Sequence, residues 1–317
     1  MIAHLLRRIG SSVLVLLLIS LLIFFLLHLV YPSPARDVMG LQARQVQVIA
    51  WNKANGFDDP WIVQYLRWAG HAVRGDLGYS YADNQTVLAL FRERAAASAY
   101  LSGVSLLLAV LIGIPLGIYQ AVRRNSAGDS ILTSLAFVFY SMPSYLVGLL
   151  LIQVFALSWH IFPSSISASS YSLVSIMTDW RSTALPIITQ TLVIVALFAR
   201  YMRSSALEVL AQDYIKVARA KGLPERLVLT RHLLRNACLP MVTLLGLSLP
   251  AVLAGNLIVE ELFNFQGLGY LFFISLGKGD YPVLLAYTLV GAVLVVAGNF
   301  VADIALSAAD PRVRLTG

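Results

Sequence analysis

The chain has 317 residues, of which 58% are hydrophobic and only 12% are charged. This balance excludes a soluble globular fold, because a soluble core cannot bury so large an apolar share. The net charge of +7 does not indicate nucleic-acid binding, because the basic residues lie between apolar runs and not on one soluble domain. The single cysteine, Cys238, excludes an internal disulfide framework, and the five histidines are too scattered to predict a metal site.

Six apolar runs are long enough to cross a bilayer. A hydrocarbon core of about 30 Å requires about 20 apolar residues in a helix, and a helix satisfies its own backbone groups where lipid offers no partners. The predicted spans cover approximately residues 9–31, 97–122, 131–161, 184–199, 241–255 with an extension toward Glu260, and 282–302. The first run is too long for a signal-peptide core and has no cleavage site after it, so we interpret it as a retained anchor. The sequence therefore predicts an all-α integral membrane protein of about six transmembrane helices.

The basic residues predict the orientation of these spans. Loops rich in Lys and Arg stay in the cytoplasm. If the N-terminus is cytoplasmic, the cytoplasmic segments carry most of the 23 Lys and Arg, so both termini are expected inside. The predicted divisions are the N-terminal end with the first helix (1–31), an external segment (32–96), a transmembrane core with a cytoplasmic loop at 204–240 (97–308), and a cytoplasmic tail (309–317). The aromatic residues of the external segment indicate either a small folded cap or a layer at the headgroups.

The cytoplasmic loop has the pattern of a helix, a turn and a second helix. Between 206 and 221 an apolar stripe recurs at helical spacing, consisting of Leu207, Leu210, Tyr214, Val217 and Ala218. The opposite face is polar, Gly222 is a typical helix stop, and Pro224 suits the first turn of a second helix over 224–236. Such an amphipathic helix either lies in the headgroup layer or presents apolar anchors to a groove in another protein.

The residue identities in this loop resemble a known family. The run 213–223, DYIKVARAKGL, followed by 231–237 and Leu239-Pro240, resembles the cytoplasmic EAA loop of bacterial ABC importer permeases, and more narrowly the dipeptide/oligopeptide branch. In that family the loop forms a coupling helix that fits a cleft in the ATPase subunit. The resemblance assigns ATPase docking to Asp213, Tyr214, Lys216, Val217, Ala218, Arg219, Ala220, Lys221 and Gly222. Lys216 replaces the Glu of the general motif, so a salt bridge from that Glu does not carry over.

The resemblance extends along most of the chain. Further blocks in family order are 64–68, 74–78, 113–117, 280–282 and 310–314. They imply a type I ABC importer permease fold in the bacterial cytoplasmic membrane. They also imply a homologous second permease subunit, two ABC ATPase subunits or domains, an extracytoplasmic substrate-binding protein, a peptide substrate and the lipid bilayer as partners.

The sequence contains no nucleotide-binding loop of the form GxxxxGK followed by Ser or Thr. We therefore expect no cofactor on this chain, with ATP and Mg²⁺ bound by the partner ATPases. No nucleophile and base are visibly paired, so the chain is not expected to be an enzyme by itself. No nucleic acid is expected as a partner.

Polar groups and helix breakers within the spans are candidates for the pathway or its gating. Polar residues in a bilayer face the bundle interior or a wet cavity, and irregular backbone is tolerated in the same places. The candidates are Ser141, Pro143, Gln153, Gln190, Asn256 and Glu260. Packing kinks at the proline and a solvated carboxylate at Glu260 are the competing interpretations.

The substrate class is the least determined part of this prediction. Relatives in the same branch import dipeptides, oligopeptides, glutathione or nickel complexes. A stand-alone secondary transporter is the rival class, and such proteins place ionisable residues at the midplane, often within an internal repeat. This sequence shows no such repeat and little charge in its spans.

Overall fold

A computed structural model of the chain describes residues 2–31, 35, 39–40, 42–166 and 173–309, without the side chains of 2–9 and 305–309. Most of these residues are helical. Four helices are long and apolar enough to cross a membrane, and two bent helix pairs raise the number to as many as six. Helix content and span number agree with the predicted all-α membrane protein.

The N-terminal third contains two long helices with a small cap between them. In chain order its elements are α1 (Ile2–Val30), α2 (Gln45–Asn55), α3 (Trp61–Val73), strands β1 (Tyr79–Ser80) and β2 (Gln85–Thr86), and α4 (Val87–Val122). The strands pair antiparallel, with Tyr79 opposite Thr86. Helix α4 begins at Val87 and not at 97 as predicted, because the Thr86 hydroxyl caps it by accepting a hydrogen bond from the Ala89 amide at 3.3 Å.

The cap packs on α1 through aromatic residues of α3. The hydroxyls of Ser20 and Tyr65 are hydrogen-bonded at 2.9 Å. The Phe24 ring meets the Tyr65 ring edge to face, with centroids 5.5 Å apart, and meets Tyr281 in the same way at 5.8 Å. Of the two interpretations of the 32–96 segment, the structure therefore favours a folded cap.

The middle of the chain contains a broken span. Its elements are α5 (Ala127–Ser141), α6 (Ser144–Ser158, π-helical from Ile152), α7 (Leu173–Thr178) and α8 (Trp180–Leu210). The predicted span over 131–161 is sharply bent at the helix breaker around Pro143, where α5 and α6 meet at an angle of 107°. Pro143 disfavours helical geometry in the residue before it, and Met142 is accordingly extended at φ −78° and ψ 133°.

Helices α4 and α8 are in close contact at two glycines of α4. A Cβ atom on Gly117 would lie 2.6 Å from the Ala199 oxygen and 2.6 Å from the Met202 Cβ, and a Cβ on Gly113 would lie 2.9 Å from the Phe198 Cβ. Two glycines one turn apart thus let two membrane helices approach to backbone contact.

The C-terminal part alternates short and long helices. Its elements are α9 (Asp213–Ala220), α10 (Glu225–Ala237), α11 (Leu239–Ala254), α12 (Leu257–Leu262), α13 (Leu268–Lys278) and α14 (Tyr281–Ala309). Helices α10 and α11 meet at 46°. The predicted extension of the fifth span toward Glu260 was wrong, because Gly255 at φ 84° ends α11 and α12 begins a separate helix. The predicted tail, apart from Ala309, and the block at 310–314 lie outside the described residues.

The glycine contact predicts a large effect of one methyl group. Replacing Gly117 by Ala should lower the free energy of unfolding by about 1–3 kcal/mol, because the new Cβ overlaps α8 and the helices must separate. The control is Gly103→Ala, where the nearest atom, Val252 Cγ1, would be 3.8 Å away. Thermal unfolding in detergent measures both, and equal melting temperatures for the two variants would contradict this account.

Candidate functional site

The 204–240 loop places α9 as a separate short helix after α8. The prediction of one helix over 206–221 was wrong, because the helix breaks at Ala211 and Gln212, and α9 begins at Asp213. Leu207 and Leu210 of the predicted stripe therefore belong to α8. Gln212 is extended, at φ −70° and ψ 147°, so the chain changes direction before α9 begins.

The inner face of α9 packs on α10. Ile215 is fully buried, Ala218 is buried, and both lie in a small cluster with the fully buried Val228 and with Leu223. Ile215 was absent from the predicted stripe, since the break at Gln212 rotates α9 relative to the periodicity continued from α8. The helix is thus held in place by its own apolar contacts.

The outer face of α9 exposes two apolar side chains. Tyr214 is 42% exposed and Val217 is 50% exposed. No described residue covers them fully, although both belong to the predicted apolar stripe. The exposed pair lies on a helix whose opposite face is buried, which is the arrangement of a preformed anchor surface.

Two ion pairs brace this helix on its solvent side. Lys216 Nζ donates to Asp213 Oδ1 at 2.8 Å, and Arg219 makes a bidentate contact with Glu225 at 3.1 and 2.6 Å. The hydrogen bond from Lys216 lowers the pKa of Asp213, and the hydrogen bond to Glu225 raises the pKa of Arg219. The loop thus presents side chains of both charge signs on its solvent side. The Arg219 contact also bridges α9 to α10.

Gly222 closes α9 with a left-handed residue. Its φ is +79°, its amide donates to the Arg219 oxygen at 2.9 Å, and the Leu223 amide donates to the Ala218 oxygen at 3.3 Å. These two bonds form a Schellman motif, and Leu223 adds the accompanying apolar contact. Ala220 and Lys221, the other predicted docking residues of this turn, lie at its end and are exposed.

An ion pair two turns before the end of α8 ties that helix to α5. Arg203 donates to both carboxylate oxygens of Asp129 at 2.9 Å, and the Asp129 carboxylate also accepts bonds from the Asn125 amide and the Thr133 hydroxyl. Asp129 is only 3% exposed. A buried carboxylate with this many donors is held in one geometry. The pair was not predicted, because its members are 74 residues apart and no sequence pattern links them.

The pathway candidates do not form one site. Ser141 ends α5, Pro143 precedes α6, and Gln153 on α6 is exposed. Gln190 on α8 is buried, where its Nε2 donates to Ser102 Oγ at 3.1 Å.

Asn256 and Glu260 act together at the start of α12. Asn256 caps the helix by accepting a bond from the Val259 amide at 3.2 Å. Glu260 has no exposed surface and accepts bonds from Ser98 Oγ at 2.7 Å, from the Asn256 amide at 3.2 Å and from the Tyr270 amide at 3.0 Å. The interpretation of Glu260 as a solvated carboxylate is therefore wrong, and the side chain fixes the 255–270 segment on α4.

Buried serines in a row on α4 form hydrogen bonds with the side chains of Glu260 and Gln190. Ser98, Ser102 and Ser105 are spaced by four and three residues and are each at most 2% exposed. Ser98 meets Glu260, Ser102 meets Gln190, and Ser105 donates to the Ile187 oxygen at 3.4 Å. We call these residues the serine row. Their helical spacing was visible in the sequence and indicates a polar stripe along one face of α4.

Comparison with known proteins finds relatives over the full chain. Residues 113–315 match the family described as binding-protein-dependent transport system inner membrane component, and residues 1–102 match the N-terminal part of such components. The chain is 37% identical over 314 residues to the oligopeptide transport system permease protein AppB of Bacillus subtilis (strain 168), with 99% of each covered. It is 35% identical over 315 residues to the glutathione transport system permease protein GsiC of Salmonella paratyphi A, with the same coverage.

A solved structure shares the fold. The inward-facing MetNI methionine ABC transporter aligns with a TM-score of 0.54, covering 70% of this chain and 97% of that chain. The sequence identity is 16%, so this likeness shows the fold alone.

The left-handed turn predicts a local effect at Gly222. Replacing Gly222 by Ala should cost about 1 kcal/mol, because φ near +79° is strained for a residue with a Cβ, although no atom blocks it. Hydrogen exchange of the 213–223 amides should accelerate. The matched control is Gly277→Ala, which also has open space around it but ordinary helical φ. Unchanged exchange in Gly222→Ala would contradict the strained-turn account.

The buried carboxylate predicts a second effect. Replacing Glu260 by Gln removes one acceptor oxygen, and one of its donors loses its bond at a cost of about 1–3 kcal/mol. Faster amide exchange over 255–270 and a lower melting temperature are expected. The neighbouring Glu261→Gln is the control, since Glu261 Oε2 has no hydrogen-bond partner among the described residues. A melting temperature lowered equally by both variants would argue against a specific role of Glu260.

Proposed function

Because the chain belongs to the family of binding-protein-dependent transport-system inner-membrane components, we propose that it forms half of the translocation path of an ATP-driven peptide importer. The chain is a multi-pass membrane permease subunit and not an enzyme by itself. ATP and Mg²⁺ would be bound by two ABC ATPase subunits. A homologous second permease and an extracytoplasmic binding protein would complete the assembly.

The names of the relatives support a peptide as the substrate. AppB is named an oligopeptide permease and GsiC a glutathione permease. Glutathione is itself a tripeptide, so both names describe small peptides. Import of glutathione or of a nickel complex is the alternative within the same architecture.

The observation that carries the coupling proposal is the exposed pair on α9. Tyr214 and Val217 are apolar and exposed on a helix whose other face is fixed by Ile215. A rigid helix with two apolar anchors and charged neighbours suits a cleft in a partner ATPase. Family membership favours this interpretation over a helix resting in the headgroup layer.

The fold offers a route from such a cleft into the membrane. Helix α9 follows α8 after a two-residue break, and α9 packs on α10, which leads into α11. Arg203 joins α8 to α5 through Asp129. Closure of the ATPases would displace α9, and α8 and α5 would move with it as one unit, so that the path between two permeases opens outward.

Orientation follows from the same proposal. A helix α9 that docks to cytoplasmic ATPases would lie inside, and the distribution of Lys and Arg supports cytoplasmic termini as well. The cap formed by α2, α3 and the two strands would then face the binding protein.

Disrupting the anchors should release the ATPase without unfolding the chain. Val217→Asp places a charge on the exposed face of α9 and should weaken co-purification of the ATPase at least tenfold, the loss expected when an interface anchor is replaced by a desolvated charge. Ala218→Arg is a poorer variant, because Ala218 is buried and the change would distort α9 itself.

The matched control is Val73→Asp at the end of α3, where the side chain is 89% exposed. Both variants should melt at the temperature of the unmodified chain, and only Val217→Asp should lose the co-purified ATPase. ATP-driven peptide uptake in proteoliposomes should fall in Val217→Asp together with ATPase recovery. Uptake by the chain without any ATPase, driven by an ion gradient, would replace this proposal with the stand-alone transporter.

A further inference from the structure

One arginine of α8 has no acidic partner. Arg200 is partly buried, and its Cζ atom lies 4.2 Å from the centroid of the Tyr140 ring on α5. Among the described residues, none forms a hydrogen bond or an ion pair with its guanidinium. Arg203, one turn later on the same helix, is by contrast paired with Asp129 through two hydrogen bonds. Stacking on an aromatic ring leaves the N–H donors of Arg200 open to another acceptor.

This guanidinium lies deep along both helices. Arg200 is ten residues before the end of α8, and Tyr140 is thirteen residues after the start of α5, which is about 15 Å and about 20 Å along the two helices. Arg203 meets α5 at Asp129. Arg200, only three residues earlier on α8, meets α5 eleven residues further along, at Tyr140. Its side chain therefore extends away from the end that is predicted to be cytoplasmic, whereas an arginine that snorkels would extend toward it.

A helix break lies beside the guanidinium. Ser141 and Pro143 follow Tyr140 closely, both are exposed, and α5 and α6 meet there at 107°. Pro143 has no amide hydrogen, and the end of a helix leaves its last carbonyls without intrahelical partners. Both a charge and irregular backbone are tolerated at membrane depth where they face protein or a water-filled cavity, and not where they face lipid. Two separate observations thus indicate that this face is not covered by lipid.

Hydroxyl groups flank the break and the guanidinium. Tyr140 and Tyr145 stand on either side of the break, Tyr201 has its ring centroid 5.9 Å from the Arg200 Cζ, and all three tyrosines are 44–49% exposed. Tyrosine is typical of the headgroup level and not of the middle of a lipid-facing surface. Exposed tyrosines beside an unpaired arginine therefore favour a wet face, and their hydroxyls can donate to an anion that the arginine attracts.

We propose that Arg200 lines the water-filled path between the two permeases and is a transient site for the carboxylate of the passing substrate. A guanidinium offers planar, paired donors that match a carboxylate, and no acidic side chain among the described residues competes for them. The Tyr140 ring holds the guanidinium in place. The C-terminus of a peptide supplies the carboxylate, and this choice, like the path itself, rests on the proposed function. A single cation gives weak binding, which lets the substrate leave.

The test measures the charge preference of a thiol placed at the break. Cys238 is the only cysteine of the chain and is first replaced by Ala. Ser141→Cys is then reacted in native membranes with an anionic and with a cationic methanethiosulfonate reagent, and the mass of the purified chain reports the labelling. We expect both reagents to react. Relative to a thiol in solution, the anionic reagent should be favoured about fivefold, because the nearby guanidinium attracts it.

Substitutions at Arg200 separate charge from packing. Arg200→Gln should abolish the preference for the anionic reagent, whereas Arg200→Lys keeps the positive charge and should retain the preference. Alanyl-phenylalanine at about 10 mM should slow labelling by the anionic reagent, because its carboxylate competes for the same cation. The C-terminal amide of this dipeptide lacks that carboxylate and should not slow the reaction.

Leu22→Cys is the matched control for exposure. Leu22 is 57% exposed on α1, next to the equally exposed Leu18. These apolar side chains form a surface suited to lipid, so neither charged reagent should label the control thiol.

Three outcomes would overturn the proposal. An unreactive Ser141→Cys thiol would assign this face to lipid or to a packed contact with the second permease. The other two are the same charge preference in Arg200→Gln as in the unmodified chain, and equal protection by the dipeptide and its amide. Absence of ATP-driven peptide uptake together with a clear charge preference would remove the importer proposal and leave the anion site standing. Intact uptake without a charge preference would remove only the site.

Discussion

Backbone contact between α4 and α8 at Gly113 and Gly117 fixes the two longest helices of the bundle against each other. Lipid gives no hydrophobic drive for helices to associate, so such close packing and polar contacts must provide it. The contact aligns α4 so that the serine row faces α8 on one side and α12 on the other. Gln190 and Glu260 then find hydroxyl partners that water would otherwise supply. The position of the 255–270 segment therefore depends on Gly113 and Gly117, because the absence of a side chain at each lets α4 approach α8.

Packed contacts also fix the short helix α9. Helix α9 has eight residues and would not be stable alone. It persists because Ile215 is buried and because Gly222 ends it with a left-handed turn. These contacts fix α9 on α10. The Asp129 pair extends that rigid unit to a second membrane helix.

Much of the fold could be predicted from the sequence, because the length of an apolar run is a reliable indicator of a membrane span. Most of the candidate site could not be predicted. Each predicted span overlaps described helix, but the bend before Pro143 and the break at Gln212 depend on local backbone geometry that hydropathy does not record. Helical periodicity correctly predicted that Tyr214 and Val217 lie on the same face of the helix. It did not predict that this face is exposed and that Ile215 is buried instead. The partner of Asp129 was out of reach, because sequence spacing carries no information about contacts between distant helices.

The pairing of the first and last membrane helices has a consequence for biosynthesis. Phe24 on α1 packs against Tyr281 and Leu285 on α14, and the Tyr31 hydroxyl donates to the Leu276 oxygen at 2.8 Å. Much of the surface of α1 is otherwise open. Helix α1 is synthesised well before α14, so its packing partner becomes available only after the intervening helices have been made. Closure of the bundle is therefore a late, long-range event, and truncation near the C-terminus would leave the first helix without its main neighbour.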